Sequence, residues 1–121
     1  MRWGLIPSWW EKTAKDVPST FNARAETVAE KPMFRSTFKR NRCIIPASGH
    51  FERKTIPDGK QPYFISAADG DVLSIAGLSD RWLSTESDET VSSCTKIVTD
   101  ANAFTRAVHT RVTVLLDRAD I

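Results

Sequence analysis

The chain has 121 residues, of which 40% are hydrophobic and 26% charged, and a formal net charge of +2. This length predicts one domain with a real hydrophobic core, and the composition argues against wholesale disorder. No apolar run approaches the ~18 residues of a membrane span, so we expect no membrane association. The first residues also lack the charged and apolar segments of a signal peptide.

The two cysteines, Cys43 and Cys94, lie far apart and form no Cys-x-x-Cys pair. Both fall inside apolar or strand-like runs, which indicates buried free thiols in a reducing compartment. We therefore expect a cytoplasmic protein. The histidines His50 and His109 do not combine with these cysteines into the spacing of a zinc site, so we expect no metal and no cofactor.

The first half of the chain predicts short extended segments and one helix. The extended segments are bounded by proline or polar residues and are expected at Arg2–Ile6, Phe21–Glu26 and Cys43–Ala47, the last one buried. Thr27 is a candidate N-cap with Glu30 as its capping-box partner, for a helix that runs to about Lys39.

The second half predicts β-hairpins. Turn signals at Pro57-Asp58-Gly59 and at Ala68–Asp71 separate apolar runs, and Thr85–Thr90 is a polar loop. A short helix is expected at Ala101–Val108. The strands are expected at Gly49–Arg53, Pro62–Ser66, Val72–Leu78, Ser93–Thr99 and Val112–Leu116. The whole is predicted to be an α+β domain, rich in strands with a few short helices.

The segment Asn22-Ala23-Arg24-Ala25-Glu26 alternates large polar and small apolar residues. In an extended strand, Asn22, Arg24 and Glu26 share one face, and the two alanines point to the other. An amide, a guanidinium and a carboxylate on one face suggest the lining of a site. An ordinary solvated strand face is the alternative.

Basic residues and tryptophans suggest a nucleic-acid partner. The stretch from Lys31 to Arg42 contains five basic and no acidic residues, and could bind phosphates or be a solvated helix face. Trp9 and Trp10 could pack in the core or form a stacking platform, worth ~1–3 kcal/mol per base. Together with the basic residues, exposed tryptophans would suit single-stranded nucleic acid.

Three further polar residues stand beside aromatic or apolar runs. Glu52 follows Phe51, and His109 and Arg111 precede the last predicted strand. If the fold brought them next to Asn22, they could form an anion-binding, proton-transferring site. A surface carboxylate and a hydrogen-bonded structural histidine are the alternatives.

Six motifs occur in the order seen in one family and together span the chain. They are W-G-L-I-P-S-W at 3–9, N-A-R-A-E-T at 22–27, R-C-I-I-P-A at 42–47, G-x-F-E at 49–52, A-G-L at 76–78 and H-x-R at 109–111. On these motifs the chain resembles the SOS response-associated peptidase (SRAP) family, the abasic-site processing proteins. The resemblance implies one domain over residues 1–121, with a β-barrel or curved sheet and a concave basic groove for single-stranded DNA.

The resemblance also implies catalytic roles. The family captures the ring-opened aldehyde of an abasic site with an N-terminal cysteine, whose amine and thiol close a thiazolidine crosslink. Asn22 would position that cysteine. Glu52 would act in acid–base steps, and His109 would assist Schiff-base chemistry and strand cleavage or reversal.

Roles in DNA binding follow from the same resemblance. Arg24 and Arg111 would hold the phosphates that flank the lesion. Trp9 or Trp10 would stack where the DNA is kinked. Single-stranded DNA with abasic sites is therefore the expected partner.

The chain departs from the family pattern at the nucleophile. Position two is Arg2, and neither Cys43 nor Cys94 offers an α-amine beside its thiol. We expect a domain incomplete at both ends that binds single strands and does not form the thiazolidine. The alternatives are a non-catalytic, self-associating interaction module and a thiol peptidase in which Cys94 and His109 meet.

Overall fold

The computed structural model describes residues 1–67, 70, 72–100 and 111–116, with the backbone alone at residues 50, 52–56, 60, 63, 100, 111 and 112. The strands are β1 (Arg2–Trp3), β2 (Asn22–Arg24), β3 (Arg42–Ala47), β4 (His50–Ile56), β5 (Gly59–Ile65), β6 (Leu73–Leu83), β7 (Thr90–Asp100) and β8 (Arg111–Thr113). One α-helix, α1, spans Arg35–Arg40, and a 3-10 turn spans Ala14–Asp16. The predicted strand-rich α+β class is confirmed.

The larger sheet is built around β7. On one side of β7, β1 and β2 pair with it in parallel, one after the other along its length. On the other side, β6 pairs with it antiparallel as far as the Gly77–Lys96 pair, and β3 pairs with the outer edge of β6. Beyond that pair β6 and β7 separate, and β8 enters between them, with Thr113 opposite Val98. The Ala76 N–H closes this gap by donating to the Val114 carbonyl at 3.0 Å.

The described strands form an open sheet, which runs from β1 and β2 at one edge to β3 at the other. The expected barrel is therefore not formed by these strands. β4 and β5 pair with each other in a separate two-stranded sheet. The prediction that Pro62–Ser66 and Val72–Leu78 form a hairpin is therefore wrong. The reason is that residues 73–78 of β6 are apolar except for Ser74 and are buried or half-buried on both faces, which favours a central strand.

The helix predicted from Thr27 to about Lys39 is shorter than expected. A first helical turn forms, with the Lys31 N–H donating to the Thr27 carbonyl at 3.0 Å. Pro32 has no N–H with which to continue the ladder, and α1 begins only at Arg35. The helix predicted at Ala101–Val108 lies outside the described residues.

Two other segment boundaries differ for local reasons. β1 ends at Trp3 rather than Ile6, because Gly4 adopts a positive φ of 116° that bends the chain away from the sheet. The strand expected at Cys43–Ala47 is present as β3, but it is not buried. It forms the edge of the sheet, and its residues alternate between exposed and half-buried.

The core lies between the larger sheet and the segment that contains α1. Ala23, Val28, Leu78 and Ile97 are buried together in this layer, and Phe34 and Phe38 pack against them. We call this side of the sheet the α1 face. Burying such side chains contributes about 1.5–3 kcal/mol for each large residue.

We expect Gly77→Ala to destabilise the fold by about 1–3 kcal/mol through overpacking. A Cβ at this position would stand 2.6 Å from Ile45 Cδ1 and 2.9 Å from the Thr95 carbonyl oxygen, at the point where β6 leaves β7. Urea denaturation measures the change. Ser74→Ala on the same strand is the control and should have little effect, and an unchanged free energy of unfolding for Gly77→Ala would contradict the prediction.

Candidate functional site

β2 presents two polar side chains above a buried alanine. Ala23 is 0% exposed, whereas Asn22 and Arg24 on either side of it are exposed. This confirms the predicted alternation for these three residues. Alternation fails at Ala25, which is exposed because the strand has ended and the chain turns after the Ala25 N–H bonds to the Val98 carbonyl at 2.8 Å.

A lysine that the sequence analysis missed stands next to these residues. In the parallel register, Asn22 is opposite Lys96 and Arg24 is opposite Val98. Partners in such a register share a face, so the half-buried Lys96 lies beside Asn22. We call the side of the sheet that carries Asn22, Arg24 and Lys96 the Asn22 face. Lys96 is the one charged residue within the predicted strand Ser93–Thr99, which is the signal that could have revealed it.

Glu26 does not continue the row of polar side chains on β2. It lies beyond the end of the strand, and its Oε1 accepts a hydrogen bond of 2.7 Å from the Thr99 hydroxyl. The carboxylate is thus tied to β7. Of the predicted site lining, the Asn22 amide and the Arg24 guanidinium remain on this face, and the Lys96 ammonium group lies beside them.

Arg111 lies at the start of β8, across β7 from Arg24. It is opposite Asp100 in the register, while Arg24 is opposite Val98. The strand spacing and rise of a sheet place the two arginine Cα atoms about 12 Å apart. The fold therefore brings the backbone positions of Asn22, Arg24 and Arg111 to one end of β7.

The structure does not describe the side chains of two predicted catalytic residues, Glu52 and His109. Glu52 belongs to β4, where it is opposite Tyr63 in the separate two-stranded sheet. His109 lies outside the described residues. Their roles in acid–base chemistry remain predictions.

Trp9 and Trp10 differ in their surroundings. Their ring centroids are 5.9 Å apart with planes tilted by 58°. The Trp10 indole N–H donates to the Thr13 carbonyl at 2.9 Å, and the Trp10 carbonyl accepts from the indole of the buried Trp82 at 2.7 Å. Trp10 is thus held in place, while Trp9 is 46% exposed and offers a ring for stacking.

Asp80 holds the turn at residues 7–10, which carries these tryptophans. No motif in the sequence predicted this role for Asp80. Its Oδ2 accepts from the Ser8 N–H at 2.8 Å and from the Thr37 hydroxyl at 3.1 Å. Its Oδ1 accepts from the Arg81 N–H at 2.9 Å. One carboxylate therefore joins the tryptophan turn, α1 and β6.

The two tryptophans do not lie on the Asn22 face. Asp80 bonds to Thr37 of α1, so the turn that it holds belongs to the α1 side of the sheet. Asn22 and Arg24 alternate with Ala23, whose side chain packs into the core on that same side. The predicted site residues are thus divided between the two faces.

Neither thiol has the properties of an activated nucleophile. Cys94 is 7% exposed, Cys43 is half-buried, and both are free. Burial raises the pKa of both thiols, although a hydrogen bond with Ser79 partly offsets this for Cys43. A raised pKa leaves less thiolate at neutral pH, and the thiolate is the nucleophile.

The described parts of the chain also limit metal and membrane binding. Within them, no three side chains from His, Cys, Asp and Glu are grouped so that they could hold a metal ion. No helix in the same ranges is both long enough and apolar enough to cross a membrane.

Comparison with known proteins identifies related sequences. The family model described as SOS response associated peptidase (SRAP) matches residues 1–121. Abasic site processing protein YoaM of Bacillus subtilis (strain 168) is 40% identical over 117 residues, 96% of this chain and 51% of that protein. Abasic site processing protein HMCES of Xenopus tropicalis is 35% identical over 137 residues, 97% of this chain and 41% of that protein. The chain spans about half the length of the curated relatives that it matches.

Two solved structures share the fold. An X-ray structure of a protein from Bacteroides thetaiotaomicron has a TM-score of 0.88 and 35% identity, over 97% of this chain and 53% of that one. An X-ray structure from Bordetella bronchiseptica has a TM-score of 0.86 and 31% identity, over 96% of this chain and 60% of that one.

We expect Asp80→Ala to cost about 1–3 kcal/mol, because the Ser8 N–H and the Thr37 hydroxyl would lose their acceptor. Urea denaturation followed by tryptophan fluorescence should show the loss, together with a changed native spectrum as the turn around Trp9 loosens. Asp88→Ala, in an exposed loop, is the charge-matched control. Equal stability of the two variants would refute the role of Asp80.

We expect Cys94 in the folded protein to be alkylated by iodoacetamide at least about tenfold more slowly than in the urea-unfolded chain near neutral pH, because burial hinders access and keeps the thiol protonated. Mass spectrometry of quenched samples measures the rate at each cysteine. Rapid alkylation of native Cys94 would contradict this account and favour the thiol peptidase alternative.

Proposed function

Because this chain belongs to the SOS response-associated peptidase (SRAP) family, we propose that it binds single-stranded DNA at abasic sites through the Asn22 face. The relatives that it matches are named abasic site processing proteins, which supports abasic DNA as the substrate class. The observation that carries the proposal is the exposure of Asn22 and Arg24 side by side above the fully buried Ala23, with Lys96 next to them.

The chemistry of this face suits a DNA backbone. A guanidinium donates paired hydrogen bonds to phosphate oxygens, and an ammonium adds a strong positive charge. Asn22 can both donate and accept hydrogen bonds, as the hydroxyl and aldehyde of an opened sugar require. With Arg111 across β7 from Arg24, two phosphates that flank one abasic sugar could be held at once.

In this proposal the acid–base steps belong to Glu52 and His109. A carboxylate and an imidazole can supply and remove the protons that Schiff-base formation and strand cleavage require. Trp9, on the other side of the sheet, contributes stacking to DNA that extends beyond the lesion. A cytoplasmic location and self-association remain predictions.

Crosslinking is a separate question from binding. A thiazolidine needs a thiol and an α-amine on one residue. A polypeptide made of these 121 residues starts with Met1-Arg2, and Cys43 and Cys94 are internal. We propose that such a polypeptide binds abasic DNA reversibly.

We expect the 121-residue polypeptide to bind a single strand with one abasic site more tightly than the intact strand, with an affinity that falls as salt rises. Arg24→Gln should reduce the slope of log K against log salt by about 0.7, the value for one phosphate contact on single-stranded DNA. Lys15→Gln, an exposed charge in the 3-10 turn, should leave the slope unchanged. Fluorescence anisotropy over a salt series measures these values, and a denaturing gel tests for an adduct.

Three results would each remove a different part of the proposal. Binding that does not depend on salt would rule out the phosphate contacts. Equal affinity for abasic and intact strands would rule out recognition of the lesion. An adduct that survives denaturation would overturn the expectation of reversible binding.

A further inference from the structure

A cluster of positive charge lies on the α1 side of the sheet, away from the Asn22 face. Arg35, Lys39 and Arg40 are exposed on α1, and Arg42 follows at the start of β3. We call the first three, together with Ser36, the α1 patch. Arg42 lies over the ring of Phe38, with its guanidinium carbon 5.7 Å from the ring centroid.

The α1 patch has a concave shape as well as a charge. A hollow of about 220 Å³ is lined by Ala29, Arg35, Ser36, Lys39 and Arg40. Three cations and one hydroxyl thus surround a single depression. In the part of the chain that the structure describes, no carboxylate pairs with any of these cations.

Helix stability does not account for this arrangement. Arg35 and Lys39 are like charges at i and i+4, which repel each other on a helix surface. Arg35 also lies in the first turn, where the helix dipole disfavours a cation. Lys39 and Arg40 lie in the last turn, where the dipole favours cations, but this does not account for Arg35, and α1 has no side-chain N-cap. A negatively charged ligand in the hollow would weaken the repulsion between Arg35 and Lys39.

We propose that the α1 patch binds backbone phosphates of the same single strand whose abasic site occupies the Asn22 face, and this inference rests on the proposed function. Two of its three cations are arginines, which match the geometry of phosphate oxygens. Ser8, next to the exposed Trp9, shares the Asp80 carboxylate with Thr37 of α1. Cations and an exposed aromatic ring therefore lie on one side, the combination that single-stranded nucleic acid favours.

The fold provides a path between the two faces. Among the described strands, β2 pairs only with β7 and forms an edge of the sheet. Residues 25–34 lead from the end of β2 directly to α1. A strand bound at Arg24 can therefore pass around this edge and reach the α1 patch. Because the two contacts lie on opposite faces, only a long strand can make both.

The test compares strand lengths. The variant Arg35→Gln, Lys39→Gln, Arg40→Gln removes three exposed charges. Its matched control is Lys12→Gln, Lys15→Gln, Arg81→Gln, three exposed charges elsewhere. Each protein is titrated with single strands of about 6 and about 25 nucleotides that each carry one abasic site, since one binding module covers roughly 4–16 nucleotides. Circular dichroism and thermal melting establish that both variants fold.

We expect the α1 variant to reduce the salt slope for the long strand by about 2, the value for three phosphate contacts, and to leave the short strand unchanged. The control should change neither. If Arg24→Gln weakens binding of the short strand but the α1 variant behaves like the control, the α1 patch is refuted and the proposed function stands. If the wild-type chain binds neither strand, both are refuted. Displacement of the long strand by polyglutamate at equal charge concentration would identify an acidic-peptide surface and overturn the proposal.

Discussion

The eleven-residue strand β7 must find backbone hydrogen-bond partners on both of its edges, and the rest of the fold follows from how this is achieved. No single neighbour pairs with its whole length, and β6, although equally long, leaves it at the Gly77–Lys96 pair. β1 and β2 share one edge, and β6 and β8 share the other. The change from β6 to β8 requires the close approach at Gly77. The same arrangement places Arg24 and Arg111 on either side of the far end of β7.

The sheet separates two kinds of surface. Its α1 face is filled by the core around Ala23 and Leu78 and then covered by α1, so any ligand on that side meets the outer surface of the helix. Its other face carries Asn22, Arg24 and Lys96 directly on the strands. Side chains on paired strands are held more firmly than those on loops, which favours the Asn22 face for positioning a reacting sugar.

Buried polar contacts hold the first segment of the chain onto this sheet. The Ser93 hydroxyl accepts from the Ile6 N–H at 2.8 Å, and the Thr20 hydroxyl donates to the Leu5 carbonyl at 2.8 Å. Asp80 adds the contacts to Ser8 and α1 described above. The conformation around the tryptophans is therefore set by hydrogen bonds to side chains far away in sequence.

The sequence by itself determined the strand-rich α+β class, most strand positions and the polar alternation of Asn22, Ala23 and Arg24, because these depend on local periodicity and turn chemistry. It also carried the ordered motifs that identify the family. Only the tertiary structure decided that the helix starts at Arg35, that β6 joins β3 and β7, that Lys96 lies beside Asn22, and that Trp9 lies on the opposite side. The physical reason is that strand partners and buried hydrogen bonds join residues as distant in sequence as Arg2 and Ser93, and no local pattern specifies which distant group will be the partner.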